Sequence, residues 1–227
     1  LSMSVYANMD VSVIDELPPG RKPIQTSCLP LSGKDKLIER MLAATKQGSK
    51  VYWICPLIEE SENLDLNAVM ETYEDLSEHF SQDKVGCLHG KLSANKKQEQ
   101  IQAFKDSKTS ILVSTTVVEV GVDIPDADIM VIENAERFGL AQLHQLRGRI
   151  GRGTKESFCI LLHKDKIQDV SSQRLQVLVD SQDGFKIAEE DLVIRGPGEI
   201  MGAQQTGIVP MKYTNLVRDS QYLMETK

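Results

Sequence analysis

Ten residues, HQLRGRIGRG from His144 to Gly153, hold three arginines and three glycines in their last seven positions. Glycine lets a backbone approach a ligand closely, and a guanidinium offers a planar fork of donors that suits a phosphate. Arg149 and Arg152 stand three apart, each directly after a glycine, so both forks can reach one site. The alternative for this spacing is a surface helix end with solvated arginines. The charges around it change sign. From Glu119 to Glu136 every charged residue is acidic, and from Arg137 to Lys155 every one is basic. That pattern reads as a sheet edge where a basic loop faces an anion.

The rest of a nucleotide-binding set is missing from the sequence. A phosphate-cradling loop needs Gly, four residues, then Gly-Lys-Ser/Thr. Gly33-Lys34-Asp35 fails, because Cys28 stands at the first position and Asp35 replaces the hydroxyl residue. Gly90-Lys91-Leu92 fails likewise, and no acidic pair follows a strand where it could hold magnesium. Cys28, Cys55, Cys87 and Cys159 have no CxxC spacing and lie in apolar contexts, so they read as buried reduced thiols and no metal site is assigned. His79, His144 and His163 are given no chemistry. A basic anion site without its machinery reads as half of a shared site.

Alternating elements must position these residues. Val51–Leu57, Val85–His89, Ser110–Thr115, Asp128–Asn134 and Ser157–His163 read as strands, apolar enough to be covered on both faces. Between them the spacing predicts helices over Lys34–Gln47, stopping at Gly48, over Asn67–Phe80, and from a Ser93 cap through Lys105. Strand, helix, strand in this order gives an α/β fold built on a doubly wound parallel sheet. After about Lys164 the pattern changes. Gln168–Asp180 is amphipathic, Phe185–Gly207 is interrupted by glycines and Pro197, and a last helical pattern lies near Leu216–Met224. The tail is too short for its own large core and is expected to pack on the sheet domain.

The 227 residues allow one sizeable core plus an appendage. With 26 basic against 33 acidic residues the net charge is −7, so a nucleic acid must be met by local basic patches. No apolar run approaches the ~18 residues of a membrane span, and no membrane partner is expected. The chain opens Leu1-Ser2-Met3 and runs to a Pro18-Pro19-Gly20 turn, which reads as a linker within a longer protein.

The stretch STTVVEVGVDIPDADIMVIENAERFGLAQLHQLRGRIGRG, Ser114–Gly153, closely resembles motifs V and VI of superfamily 2 helicases, in the second RecA-like motor domain of RecG-type branched-DNA translocases. DELPPGRKPI before it and DLVIRGPGEIMG after it resemble the same family, so the likeness covers essentially the whole chain. It implies a linker over 1–23, a RecA-like domain over 24–165, and a C-terminal helical hairpin with a translocation motif over 166–227. Gln145, Arg149 and Arg152 match the positions where two arginine fingers reach the γ-phosphate of ATP, which is held with Mg²⁺ mainly by the first motor domain. Gly121 and Asp123 match motif V, where the carboxylate lies near the ribose or relays to motif VI; as plain sequence Asp123 is equally a cap or turn residue.

Ser114, Thr115 and Thr116 fit contacts to a nucleic-acid phosphate or a strand-end turn. His89, beside Gly90, is either a DNA contact or a satisfied structural histidine. In the tail Arg195 and Gln205 are the residues assigned to coupling, Arg195 pairing with Glu199 or a nearby acid. Ala203 and Gln204 depart from the family's usual Thr and Arg. The resemblance thus implies an ATP-dependent DNA helicase acting on stalled forks and Holliday junctions, cytoplasmic and nucleoid-associated in a bacterium. The parent is expected to be monomeric, with its first motor and wedge domains as partners of this chain, which alone is expected to be inactive. The other readings are a transcription-repair coupling factor, a DEAD-box RNA helicase, which would carry His in place of Gln145, or a non-catalytic DNA-binding module.

Overall fold

A computed structural model describes residues 22–56, 62–115, 127–151 and 155–195, with the backbone alone at 62–65 and 195. Six strands form one parallel sheet: β1 (Ile24–Pro30), β2 (Val51–Cys55), β3 (Val85–Leu88), β4 (Ile111–Thr115), β5 (Ile129–Ile132) and β6 (Ser157–His163), in the order β1-β6-β5-β2-β4-β3. Six helices accompany them: α1 (Lys34–Lys46), α2 (Glu62–Phe80), α3 (Ala94–Lys105), α4 (Leu140–Arg147), α5 (Asp169–Asp180) and α6 (Gly184–Arg195). The parallel sheet and flanking helices are the architecture expected from the sequence.

Strand residues alternate between two buried cores. Val51, Trp53 and Cys55 face α1 and α2, packing with Met41, Leu76 and Phe80. Tyr52 and Ile54 face the other side with Phe104, Leu143, Leu175 and Ile187, from α3 to α6. Because both faces are covered, the inner strands β2 and β5 are apolar without interruption. The described part of the tail has no core of its own; Leu175, Leu178 and Ile187 join the sheet's second core.

Several boundaries differ from the expected ones. β2 stops at Cys55 because Pro56 offers no N–H to the ladder, and β5 stops at Ile132, two residues before the left-handed Asn134 (φ 49°). β1 is a strand the alternation did not reveal: at the sheet's edge, buried Ile24 is followed by exposed Gln25 and Ser27. α4 was not expected as a helix either, since it has only eight residues; Gln142 Oε1 accepts the Gly139 N–H at 3.0 Å to start it. Gly196, Pro197, Gly198, Gly202 and Gly207, read as interruptions, lie outside the described residues; before them α6 forms and runs to Arg195, with Asp183 Oδ1 accepting the Phe185 N–H at 2.8 Å near its start. Ser93 caps α3 as expected, accepting from the Lys96 N–H at 3.4 Å. The pattern near Leu216–Met224 and the Pro18–Gly20 turn lie outside the described residues.

Candidate functional site

Each strand has an amino and a carboxyl end, and the predicted site residues divide between the two edges of the sheet. Gln145 and Arg149 lie at the amino edge. They are four apart across the C-terminus of α4, Gln145 exposed and Arg149 half-buried. Gly151 then packs against the first residues of β1 and β6: a Cβ added there would lie 3.0 Å from Ile24 Cγ1 and 3.6 Å from Ser157 Cβ. Its φ of +74° is one that glycine alone adopts without strain, so both its conformation and its surroundings require this residue.

The arginines of the motif have separate fates. Arg147 is 3% exposed and turns into the protein. Its Nη1 donates to the carbonyls of Leu178 (2.7 Å) and Ser181 (2.9 Å) at the end of α5 and to Thr26 Oγ1 (3.4 Å). Its Nη2 meets His144 Nδ1 at 3.1 Å. Burial pulls the guanidinium pKa below its ordinary value. Lys155, the last basic residue of the run, pairs with Asp128 at 3.5 Å and donates to the Gly48 carbonyl at 3.4 Å. The reading of the whole basic run as one anion-facing surface is therefore corrected: Arg147 is committed to the fold, and exposed Lys155 to a surface ion pair.

Thr115 and His89 lie at the opposite, carboxyl edge. Leu88 pairs with Ser114, so His89 and Thr115 end neighbouring strands at one level. Thr115 is 2% exposed and its Oγ1 is buried without a hydrogen-bond partner. His89 Nδ1 is likewise buried and unpartnered. Burial, with Lys97 and Lys91 close by, lowers the His89 pKa. Unpaired polar atoms cost stability wherever water cannot reach them, and two side by side mark an edge with unmet hydrogen-bonding capacity.

Beside them is a network that sequence reasoning missed. Glu133, directly after β5, accepts from Trp53 Nε1 at 3.0 Å and Thr72 Oγ1 at 3.2 Å, and pairs with Lys34 at 3.5 Å. Lys34 also pairs with Asp75 at 2.7 Å and lies 5.5 Å from the centre of the Trp53 ring. Burial pulls the Lys34 pKa down, but Glu133 and Asp75 outweigh it and the net shift is upward. No local motif signals this cluster, because its members come from four separate elements and turns. Burial, reinforced by Glu133, raises the Cys55 thiol to about 12, and Cys159 is held at about 12 by burial, so neither is a thiolate at neutral pH.

The structure thus brings Gln145 together with Arg149, and His89 together with Thr115, but holds the pairs at opposite edges. Gly121, Asp123, Thr116, Arg152, Gln205 and the side chain of Arg195 lie outside the described residues. Among the described residues no group of three His, Cys, Asp or Glu side chains could hold a metal ion.

A parallel sheet covered on both faces, with a glycine-braced arginine loop entering its last strand, defines the class. Residues 33–154 match the helicase conserved C-terminal domain family, and the chain belongs to it. Its likeness is sharper still to one kind of helicase: residues 181–227 match the model for ATP-dependent DNA helicase RecG, domain 3, C-terminal. The chain is 50% identical over 224 residues to the ATP-dependent DNA helicase RecG of Pasteurella multocida (strain Pm70), covering 98% of this chain and 32% of that protein. It is 48% identical over 228 residues to RecG of Escherichia coli (strain K12), covering 100% and 33%. A solved structure of RecG bound to a three-way DNA junction superposes with a TM-score of 0.72 at 44% identity, over 98% of this chain and 29% of that one. The crystal structure of a CRISPR-associated protein, at 17% identity and TM-score 0.56, shares the fold alone. The chain spans about a third of the length of the curated relatives it matches.

Proposed function

We propose that this chain is the second motor half of a RecG-type, ATP-dependent DNA helicase that remodels branched DNA such as stalled forks and Holliday junctions in a bacterial cytoplasm. The observation that carries the reading is the match to RecG helicases at 48–50% identity over nearly the whole chain, with the RecG-specific model covering residues 181–227. Arg147 is consumed by the fold, and half-buried Arg149 follows exposed Gln145 by four residues at a glycine-braced turn. Arg149, with Arg152 three residues on, is assigned to the γ-phosphate of ATP. A guanidinium fork there would stabilise charge developing in the transition state, an effect worth ~10³–10⁵ in rate. Mg²⁺ and most of the nucleotide are assigned to the preceding motor domain of the parent.

His89 and Thr115, with unmet hydrogen-bonding capacity at the carboxyl edge, are assigned to the nucleic acid. With the two pairs at opposite edges, one domain would touch nucleotide and DNA on different surfaces, as a motor that converts one into movement along the other requires. The matched RecG-specific tail favours this parent over a transcription-repair coupling factor.

The test is steady-state ATP hydrolysis by the full-length parent with a synthetic fork, linear duplex, single strand or RNA at constant salt. Fork DNA is expected to stimulate most, and Arg149→Ala is expected to lower stimulated turnover by about 10³ or more. Undiminished turnover in that variant, or stimulation strongest with RNA, would overturn the assignment.

A further inference from the structure

An open parallel sheet has two edge strands, and each turns half of its backbone N–H and C=O groups outward, where another strand can pair with them. Here the edges are β1 and β3. Water can satisfy such groups, but water does not keep a second copy's strand away.

On β3 the Lys84 carbonyl accepts the Ser110 N–H at 2.8 Å, so Lys84, Gly86 and Leu88 turn toward β4 while Val85 and Cys87 turn outward. Both outward donors are taken. The Val85 N–H bonds the Gln82 carbonyl in the preceding turn, and the Cys87 N–H bonds Gln100 Oε1, from α3, at 3.3 Å. Gly86 makes room for that side chain. A Cβ there would stand 2.9 Å from Gln100 Oε1 and 3.0 Å from Leu112 Cδ1. Beside this edge lies a cavity of about 520 Å³ whose lining includes Met70, Tyr73, Leu92 and Ala103, apolar surface that a paired strand would cover.

The far edge repeats the device with a different helix. Gln182, just past α5, donates from Nε2 to the Ile24 carbonyl at 3.1 Å and accepts the Ile24 N–H at Oε1 at 3.3 Å. One amide thereby occupies both backbone groups of the first residue of β1, as a neighbouring strand would. The last residue of β1 is Pro30, which has no N–H to offer, and α5 packs against the strand. A glutamine suits both places because its uncharged amide carries the donor and acceptor of a peptide group.

We propose that Gln100 and Gln182 close the two edges of the sheet against strand addition by a second copy of this chain. With Gln100 gone, β3 can pair antiparallel with β3 of the second copy about a two-fold axis, which gives a closed dimer. With both glutamines gone, each copy has two open edges and growth need not stop at two.

The experiment uses the full-length parent and its Gln100→Met and Gln182→Met variants, which keep the side-chain length and lose the amide. Gln98→Met, exposed on the same helix as Gln100, is the control for added apolar surface. Light scattering after size exclusion reads the mass across a range of concentrations, and circular dichroism reports folding. Each single variant is expected to rise about twofold in mass where the parent and Gln98→Met keep the mass of one copy, and the double variant to grow further. In dilute samples Gln100→Met should also speed hydrogen exchange at the Cys87 amide by about tenfold, the loss of one hydrogen bond. Unchanged mass in both single variants and in the double variant, or equal association in Gln98→Met, would overturn the proposal. So would an unaltered parent that already pairs at the same concentrations. Should Gln100→Met not fold, Gln182→Met decides. None of these readouts depends on ATP or DNA, so the motor reading stands or falls separately.

Discussion

The two edges of the sheet handle charge in opposite ways. At the amino edge, basic side chains answer helix ends. Lys50 Nζ donates to the Lys105 carbonyl at the end of α3 at 2.9 Å, Lys84 to the Lys108 carbonyl just beyond it at 3.4 Å, and Lys155 to the Gly48 carbonyl past α1 at 3.4 Å. Arg147 does the same for α5. In a parallel α/β sheet the helices run back against the strands, so their C-termini, with unpaired carbonyls and negative dipole ends, collect at the strands' amino ends. Positive charge there is what the architecture demands of any sequence that adopts it. At the carboxyl edge a single carboxylate, Glu133, collects donors from Trp53, Thr72 and Lys34, while His89 Nδ1 and Thr115 Oγ1 have no partner. A basic run at the amino edge is therefore weak grounds for an anion site until its cations are shown to be uncommitted to the fold. Unmet polar capacity at the carboxyl edge has no such architectural explanation.

The contrast predicts that a substitution in the buried network costs much and one in the exposed lysine set costs little. Glu133→Leu should destabilise the chain by about 3 kcal/mol, because it orphans the Trp53 donor and half of the Lys34 pairing, the Thr72 hydroxyl keeping the Ala68 carbonyl at 3.0 Å. Glu133→Gln, which can still accept from Trp53 and Thr72, should recover about half of that loss. Urea unfolding of the chain measures both, and equal losses would show that charge alone, not the acceptor geometry, holds this edge.

A pH titration probes the turn beside Arg147. Burial first and Arg147 second hold the His144 pKa below its ordinary 6.5, with Asp183 pulling the other way. The unfolded chain therefore takes up a proton at this ring at a higher pH than the folded one. Stability is fully present above 6.5 and is lost as the pH falls from there through the lowered folded value. His144→Asn should remove that component, and thermal melts of both forms between pH 7.5 and 5 compare them; parallel pH profiles would show that the ring does not titrate with folding.

The smallest effect is expected at Lys155, whose side chain is 63% exposed. Lys155→Met should change stability by under about 0.5 kcal/mol. A loss as large as that of Glu133→Leu would erase the distinction between the edges.

Much of the molecule was legible before any coordinates. Continuous apolar runs at Val51–Cys55 and Ile111–Thr115 announced strands covered on both faces, and Ser93 announced the start of α3, because such signals act within a few residues of chain. Edge strand β1 and short helix α4 escaped for the converse reason. One is half-exposed and so lacks the apolar run, and the other has eight residues and so too few turns for a period to declare itself. At the candidate site, Arg149 and Arg152 stood out by type and spacing, and their assignment together with Gln145 came from the resemblance to RecG-type helicases.

The sequence by itself determined the α/β class, the alternation of elements, and the family to which the arginine motif belongs, since propensity, period and motif spacing are local properties. Tertiary structure decided which arginine serves which master. Arg147 and Arg149 are two residues apart and chemically identical. Only the packing of α4 against the sheet, with the end of α5 brought over it from 31 positions along the chain, commits Arg147 to a buried carbonyl pair while Arg149 stays half-buried. It also gathered Lys34, Trp53, Thr72 and Glu133 into one network. Burial and partnership depend on what the rest of the chain places nearby, and no window of sequence contains that information.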